Sequence, residues 1–81
     1  PLPSGHHLSV SVKAWFYFDG SGKMVTGWEW LPWKGGPRCD FFNPVSDGRQ
    51  GACQLGGVTY DGFTVDETGA WTVNGVVQVK N

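Results

Sequence analysis

The stretch W-F-Y-F-D-G-S-G-K-M-V-T-G-W, residues 15–28, decides the fold of this chain. Its first four residues place Trp15 and Tyr17 on one face of a β-strand and two phenylalanines on the other, because successive strand side chains leave opposite faces. The D-G-S-G sequence at residues 19–22 predicts a tight turn, since these residue types tolerate turn dihedral angles. Residues 24–28 are then expected to return as the partner strand of a hairpin.

Composition extends this prediction to the whole chain. The 81 residues include 13 glycines and 5 tryptophans, and only 16% of them are charged. Such a composition favours short strands and frequent turns, and no window carries the sustained apolar period of a long helix. We therefore expect one small all-β domain, whose thin core needs a staple or neighbouring repeats.

Short strands are predicted on both sides of the opening stretch. Residues 1–7 are interpreted as a loose lead-in, and residues 8–12 alternate as a strand does. Residues 28–33 are interpreted as an elaborated loop or edge segment, because a proline interrupts them and removes a ladder donor. Asn74-Gly75 predicts a type I′ turn between two strands. The remaining strands are predicted at residues 39–43, 52–55, 58–60, 63–65, 70–73 and 76–79.

An internal repeat connects these predicted hairpins. The turn at residues 19–24 recurs without a gap at residues 66–71, with aspartate and glycine at matching positions, and a middle copy at residues 43–53 fits with an insertion. Hairpins of one plan that bury their faces only against their neighbours are typical of a solenoid. We predict a single module over residues 8–81, a short solenoid of about three stacked β-hairpins. Its approximate repeats are residues 8–28, 28–56 and 57–79.

The opening stretch resembles the cell-wall-binding repeat of Gram-positive surface proteins, also called the choline-binding or glucan-binding repeat. That pattern runs roughly G-W, several residues, W-Y-Y-F-D, two residues and G-x-M-x-T-G-W, and the resemblance covers roughly residues 13–73. It implies β-hairpins stacked in a left-handed superhelix, with choline or sugar held in an aromatic cage between neighbouring hairpins. A quaternary ammonium cannot donate a hydrogen bond, so aromatic faces are its natural partners.

Carried over residue by residue, the resemblance implies two incomplete cages. The first would use Trp15, with Phe41 arriving from the next hairpin, and its second tryptophan falls near Leu8. The second would begin with Trp28, but the next tryptophan of the pattern falls on Cys39. The module is therefore either a terminal piece with a structural role or one whose ligand site has been rebuilt.

A cluster of three tryptophans favours the rebuilt site. Trp28, Trp30 and Trp33 lie close together in the sequence, with Lys34 and Arg38 nearby, and the first two share a face if the segment is extended. The alternative is that these indoles cover the thin core. The candidate ligand-binding residues are Trp15, Tyr17, Trp28, Trp30, Trp33 and Phe41.

The two cysteines, Cys39 and Cys53, are interpreted as a disulfide. Such a bond would close a loop of about 15 residues and contribute about 3 kcal/mol, and it would place the protein in an oxidising, extracellular setting. The alternative is a pair of reduced, partly buried thiols.

Charge and motifs argue against several other functions. The six basic residues are scattered and the formal net charge is −1, so neither nucleic acid nor an anionic membrane is an expected partner. No apolar run is long enough for a membrane span. His6 and His7 would point to opposite faces of an extended segment, the cysteines lack zinc-site spacing, and each Asp or Asn beside a glycine is explained by turn chemistry. We expect no metal, no cofactor and no catalysis.

The sequence therefore predicts a non-catalytic module that attaches a secreted or surface protein to the cell wall. Its expected partner is a choline-bearing polymer or a glycan, and its expected location is extracellular. Because residue 1 is proline, we also expect the chain to be part of a longer protein. Two alternatives stay open: a structural or protein-interaction module without a small-molecule ligand, and carbohydrate binding of the kind found in the related repeats of secreted toxins.

Overall fold

The structure is a computed structural model that describes residues 6–9, 14–33 and 36–80. Within these ranges the chain is all-β, with small antiparallel sheets and no helix. The predicted all-β class is thus confirmed, whereas no solenoid of stacked hairpins is detected among the described residues. The seven strands are β1 (His6–Ser9), β2 (Ala14–Tyr17), β3 (Gly27–Leu31), β4 (Arg38–Phe42), β5 (Thr64–Val65), β6 (Trp71–Val73) and β7 (Val76–Val77).

Strand β4 lies at the centre of the molecule. β1 pairs with β2, β3 pairs with β4, and β5, β6 and β7 form a three-stranded sheet. The edge of β4 that faces away from β3 makes three further antiparallel bridges, at every second residue. They join Arg38 to Val79, Asp40 to Ala70 and Phe42 to Cys53. Strand β4 therefore connects the sheet that it forms with β3 to the residues that flank the C-terminal sheet.

The main core lies against one face of β4. Phe42 has no solvent exposure, and its ring meets that of Trp15 edge to face, with centroids 5.3 Å apart. Leu31, Val25 and Cys53 complete this cluster, and each large apolar side chain buried in it contributes about 1.5–3 kcal/mol. Because side chains alternate along a strand, Cys39 and Phe41 lie on the opposite face of β4. That face carries the candidate site.

The first and last turns have the same hydrogen-bond geometry, as their sequences predict. The Oδ1 atom of Asp19 accepts hydrogen bonds from the backbone N–H groups of Ser21 and Lys23, at 2.9 and 3.0 Å, and from the Ser21 hydroxyl at 2.6 Å. The Oδ1 atom of Asp66 accepts the same three bonds, from Thr68 and Ala70, at the same distances. Asp at the first turn position therefore has a specific structural role.

Two more turns follow this plan. In the middle copy, the N–H of Gly51 donates to the carbonyl of Asn43 at 2.7 Å, and Asn43 Oδ1 accepts from the N–H of Val45 at 2.9 Å. At residues 59–63, the N–H of Gly62 donates to the carbonyl of Thr59 at 3.0 Å. The sequence predicts a break at residues 61–62, after a strand at residues 58–60. It does not predict that the turn begins at Thr59, because threonine stands where the other three turns have Asp or Asn.

Several element predictions are confirmed and others are wrong. Strand β4, the hairpin of β5 and β6, and the turn at Asn74 and Gly75, with positive φ angles of 53° and 78°, agree with the sequence prediction. Of the two interpretations of residues 28–33, the structure supports an edge segment and not a loop, because all but their last two residues belong to β3, which lies at the edge of its sheet. Residues 24–28 do not form the full partner strand that was predicted for the opening hairpin. Met24 makes one bridge with Phe18, and β3, which begins at Gly27, pairs with β4 instead.

The N-terminal prediction is also corrected. His6 and His7, assigned to the loose lead-in, belong to β1, where they pair with Tyr17 and Phe16. The His7 ring meets that of Phe18 edge to face, with centroids 4.7 Å apart. The strand predicted at residues 8–12 therefore begins earlier, and its part from residue 10 onwards lies outside the described residues, as do residues 1–5.

The predicted disulfide is not formed, and both Cys39 and Cys53 are buried free thiols. Cys53 pairs across the strands with Phe42, which is three residues from Cys39 along β4. An odd separation along a strand points two side chains to opposite faces, and three residues span about 10 Å. Disulfide geometry needs β-carbons about 3.5–4.5 Å apart, so the β-sheet register separates the two thiols.

Candidate aromatic binding site

A pocket with a volume of about 200 Å³ opens between the sheet of β3 and β4 and the C-terminal sheet. We refer to it as the aromatic pocket. Aromatic rings and one thiol line it: Trp28, Trp30, Cys39, Phe63 and Trp71. Pockets whose walls are mostly apolar and aromatic are the usual form of a small-ligand site.

The register of β3 and β4 sets one wall of the aromatic pocket. Trp28 is paired with Phe41 and Trp30 with Cys39, so all four side chains lie on the same face of this sheet. The rings of Trp28 and Phe41 have centroids 4.9 Å apart. Cys39 and Phe41 are buried, whereas both tryptophans keep partial exposure. Phe41 thus supports the pocket from behind, and the two indoles face its opening.

The C-terminal hairpin supplies the opposite wall. Phe63 lies just before β5 and Trp71 begins β6, and their rings meet edge to face at 6.4 Å. Phe63 also meets Trp28 at 5.9 Å and an interplanar angle of 90°, while Trp71 meets Trp30 at 6.3 Å and 78°. Consecutive edge-to-face contacts therefore connect four rings around one space. Such contacts contribute about 0.5–1.5 kcal/mol each beyond the buried area.

The aromatic pocket is open to solvent on one side. Phe63 is 48% exposed, and Trp71 is half-buried, as are the two tryptophans of β3. A ligand could therefore reach the rings without rearrangement of the core. The pKa of the Cys39 thiol at the base is raised to about 11, first by burial and then by the charge of Asp40, so the thiol is neutral at physiological pH.

Charged groups lie at the edges of this pocket. The indole Nε1 of Trp28 donates a hydrogen bond of 2.8 Å to Oδ2 of Asp61. The Thr59 hydroxyl and, second, the Trp28 indole lower the pKa of Asp61, which keeps this carboxylate ionised. On the other side, Nζ of Lys80 lies 5.6 Å from the centroid of the Trp30 ring, within the range of a cation–π contact.

The structure brings together only part of the predicted set of ligand residues. Trp28 and Trp30 line the aromatic pocket, and Phe41 supports it. Trp15 is 3% exposed in the main core and meets Phe42 rather than Phe41, so the predicted first cage is wrong. Tyr17 packs against the same core.

Trp33 is the third correction among the predicted ligand residues. Its ring meets that of Trp15 edge to face at 5.9 Å, and its Nε1 donates to Asp40 Oδ2 at 2.6 Å. The guanidinium of Arg38 lies 5.4 Å from the centroid of the Trp33 ring. Since Trp33 follows the end of β3, it leaves the face that carries Trp28 and Trp30. For this residue the core-covering interpretation fits the structure.

Two pocket residues, Phe63 and Trp71, were missed by the sequence analysis. Trp71 falls on Met24 when the first and last turns are superposed, so a tryptophan at this position was a visible departure from the repeat. Phe63 gave no comparable signal, because its position depends on the turn at residues 59–63, whose start at Thr59 was not predicted. Cys39 was predicted as half of a disulfide or as a reduced thiol, and as a residue that replaces a cage tryptophan, but not as part of a pocket wall.

A second, more polar cavity of about 370 Å³ lies beside the middle turn. Its amide side chains are already engaged: Nδ2 of Asn43 donates to Asp47 Oδ1 at 3.0 Å, and Nε2 of Gln54 donates to two backbone carbonyls at 3.1–3.2 Å. These groups stabilise the turns around them. The aromatic pocket is therefore the stronger candidate, although its volume is smaller.

The described part of the chain holds no group of three or more His, Cys, Asp or Glu residues that could bind a metal ion. Within the same ranges, no helix has the length and apolar character needed to cross a membrane. No protein-family model, curated protein or solved structure matches this chain. The geometry of the aromatic pocket therefore carries the functional argument.

Proposed function

We propose that this chain is a non-catalytic binding module whose aromatic pocket holds a quaternary ammonium group, as on a choline-bearing cell-wall polymer. The observation that carries this proposal is the set of four rings, those of Trp28, Trp30, Phe63 and Trp71, around one open space of about 200 Å³. An anchoring role for a secreted or surface protein, with an extracellular location, follows from the same proposal.

The chemistry of the walls favours a cation over a sugar. Each wall group is a ring or a neutral thiol, and the indole N–H of Trp28 is already bonded to Asp61. For a sugar hydroxyl the lining offers only the indole N–H groups of Trp30 and Trp71 and the Cys39 thiol. A hydroxyl that is turned towards the rings and meets none of these groups loses its water without a new partner, which costs roughly 1–3 kcal/mol. A quaternary ammonium needs no hydrogen bond and is attracted to the electron-rich faces of the rings. A glycan could use these rings only through its C–H faces.

The expected affinity of a single site is modest. A cation–π contact contributes about 0.5–2 kcal/mol, so four rings on a site open to water correspond to roughly millimolar binding after the cost of association. A polymer that carries many choline groups compensates, because linked sites act through a high effective concentration. The module would therefore serve best beside further copies in a longer chain.

The four related turns support a repeat origin. Turns at residues 19–23, 43–52, 59–63 and 66–70 each close through a glycine N–H that donates to the carbonyl of the first residue, at 2.7–3.0 Å. Three of these turns also have the glycine three residues after the first residue, and a recurring turn of one plan is expected when a hairpin unit is duplicated. We propose that the chain is a variant of the choline-binding repeat, in which neighbouring hairpins have rotated into three small sheets.

The decisive experiment compares choline with its neutral isostere. Indole N–H signals and tryptophan fluorescence would be followed while choline, tetramethylammonium or 3,3-dimethylbutan-1-ol, which has carbon in place of the choline nitrogen, is added. We expect saturable shifts with both cations at millimolar concentration and much weaker shifts with the alcohol. Absence of any shift up to tens of millimolar cation would contradict the proposal.

A structural or protein-interaction module is the second candidate function. It is favoured by the exposed apolar side chains beside the aromatic pocket, since Tyr60 is 80% exposed and its ring lies 5.6 Å from that of Phe41. An exposed aromatic rim of this kind is also typical of protein contact sites. Equal response to choline and to its neutral isostere would favour this second function.

A further inference from the structure

The carboxylate of Asp61 holds one ring of the aromatic pocket from outside. Its Oδ2 accepts the 2.8 Å hydrogen bond from Trp28 Nε1, although the two residues are 33 positions apart in the chain. Asp61 itself is exposed and does not line the pocket. Any effect that it has on a ligand must therefore act through the indole of Trp28 or through its charge.

The turn at residues 59–63 explains how a carboxylate comes to lie there. In the first and last turns, aspartate is the first residue and a hydroxyl is the third, as in Asp66 and Thr68. In the turn at residues 59–63 the two are exchanged, because Thr59 is first and Asp61 is third. The Thr59 hydroxyl still donates to Asp61 Oδ1, so the contact across the turn is retained.

This exchange moves the carboxylate from the first to the third position of the turn. The Oδ1 atom of Asp19 is used by three bonds inside its own turn. In the exchanged turn, the N–H of Phe63 donates to the Thr59 hydroxyl at 3.2 Å. The carboxylate of Asp61 therefore lies two positions further along its turn than that of Asp19, and from there its Oδ2 accepts the bond from Trp28.

A charged acceptor on an indole N–H has two physical effects. It fixes the orientation of the ring, because a hydrogen bond to a carboxylate is shorter and stronger than one to a neutral group. It also polarises the ring, since the partly transferred proton leaves more electron density on the π system, which strengthens its attraction for a cation. A neutral ligand carries no charge that the polarised ring could attract, so the second effect strengthens the binding of cations only.

We infer that Asp61 is a positioning residue that makes the aromatic pocket select cations over neutral ligands of the same shape. This inference rests on the proposed function, because it assigns a source of specificity to the proposed cation site. The exchange of Thr59 and Asp61 would then be the change that adapted one structural turn to ligand recognition.

Three variants, each of which removes one negative charge, test this inference. Asp61→Asn keeps the size of the side chain and removes its charge. The double variant Thr59→Asn with Asp61→Ser restores an ordinary turn, since Asn43 already occupies the first position of the middle turn. Asp19→Asn is the matched control, because it changes the charge of a turn outside the pocket in a way that Asn43 shows to be compatible with the fold.

The measurement is the ratio of dissociation constants for choline and its neutral isostere 3,3-dimethylbutan-1-ol. We expect Asp61→Asn and the double variant to weaken binding of the cation roughly two- to tenfold and to leave that of the alcohol unchanged. Asp19→Asn should behave as the wild type. Without ligand, the Asp61 variants should shift one indole N–H signal, that of Trp28, and leave the signals of Trp15 and Trp33 in place.

The possible outcomes separate this inference from the proposed function. If the wild type selects the cation and both Asp61 variants keep the same ratio, the positioning role is overturned while the cation site stands. If the cation and the alcohol weaken equally, Asp61 supports only the structure, and the inference is again overturned. If the wild type binds neither probe, the proposed function and this inference fall together.

Discussion

The indole Nε1 of Trp33 donates a hydrogen bond of 2.6 Å to Oδ2 of Asp40, a carboxyl group with no solvent exposure. The other oxygen, Oδ1, is buried and has no hydrogen-bond partner among the described residues. Burial raises the pKa of Asp40 to about 7, although the Trp33 bond and the charge of Arg38 act in the opposite direction. The fold therefore prefers the protonated acid.

This burial predicts that stability falls as pH rises. Asp40 has an ordinary pKa of 3.8 and a folded pKa of about 7. Between these values the unfolded chain has released the proton that the folded chain retains, so the free energy of unfolding decreases through this window. The full effect is on the order of 4 kcal/mol at most. Asp40→Asn should remove this dependence and stabilise the protein above pH 7, as measured by urea unfolding across pH.

Asp47→Asn provides the matched control for this pH series. Asp47 is exposed, and hydrogen bonds from the Arg49 N–H and the Asn43 amide lower its pKa. Its contribution to stability is present above its unfolded pKa and is lost as pH falls through the folded value. Asp47→Asn should therefore change only the acidic end of the profile. A wild-type stability that is flat from about pH 4 to 7 would contradict the preference for protonated Asp40.

The local part of the fold was predictable from the sequence, whereas the long-range pairing was not. Alternation and turn chemistry gave β4, the hairpin of β5 and β6, and the turn at Asn74 and Gly75, because these depend on neighbouring residues. The sequence did not predict that β3 leaves the opening hairpin for β4. That choice depends on burial of Leu31 and Phe42 in one core.

The site was predictable to a similar degree. The shared face of Trp28 and Trp30 follows from strand alternation, so that half of the aromatic pocket could be found in advance. Phe63 and Trp71 come from a hairpin more than thirty residues further along the chain. The bond between Asp61 and Trp28 joins two segments whose meeting no local pattern encodes.

A comparison of two equivalent glycines tests the packing of the last turn. Gly22 and Gly69 occupy the same turn position, with φ angles of 83° and 93°. A β-carbon on Gly22 would meet nothing within 4 Å, whereas one on Gly69 would lie 2.7 Å from Cys53 Sγ and 3.3 Å from Asp40 Oδ1. Gly22→Ala should thus cost only the backbone strain, about 1–2 kcal/mol.

Gly69→Ala should cost that strain and a further 1–3 kcal/mol, because the buried thiol and carboxyl group must move. Thermal unfolding of the two variants under the same conditions gives the difference directly. Equal losses of stability would contradict the close approach of the last turn to Cys53 and Asp40.

The two thiols should be present and unreactive in the native protein. Burial raises the pKa of Cys39 to about 11 and also raises that of Cys53, so almost no thiolate exists at neutral pH. We expect a thiol–disulfide exchange reagent to react slowly with the folded protein and to titrate two thiols once the chain is unfolded without reductant. Detection of no thiol in the unfolded chain would restore the disulfide interpretation.

Two phenylalanine substitutions separate the binding role of the aromatic pocket from a purely structural one. Phe63 is one of its four rings, whereas Phe16 lies in the first hairpin and does not line it. Phe→Leu keeps most of the apolar surface and removes the π face that attracts a cation. We expect Phe63→Leu to weaken tetramethylammonium binding by roughly two- to thirtyfold, the loss of one cation–π contact, and Phe16→Leu to leave it unchanged. If Phe63→Leu lowers thermal stability but leaves the dissociation constant for the cation unchanged, the Phe63 ring only stabilises the fold. The proposed cation site in the aromatic pocket is then contradicted.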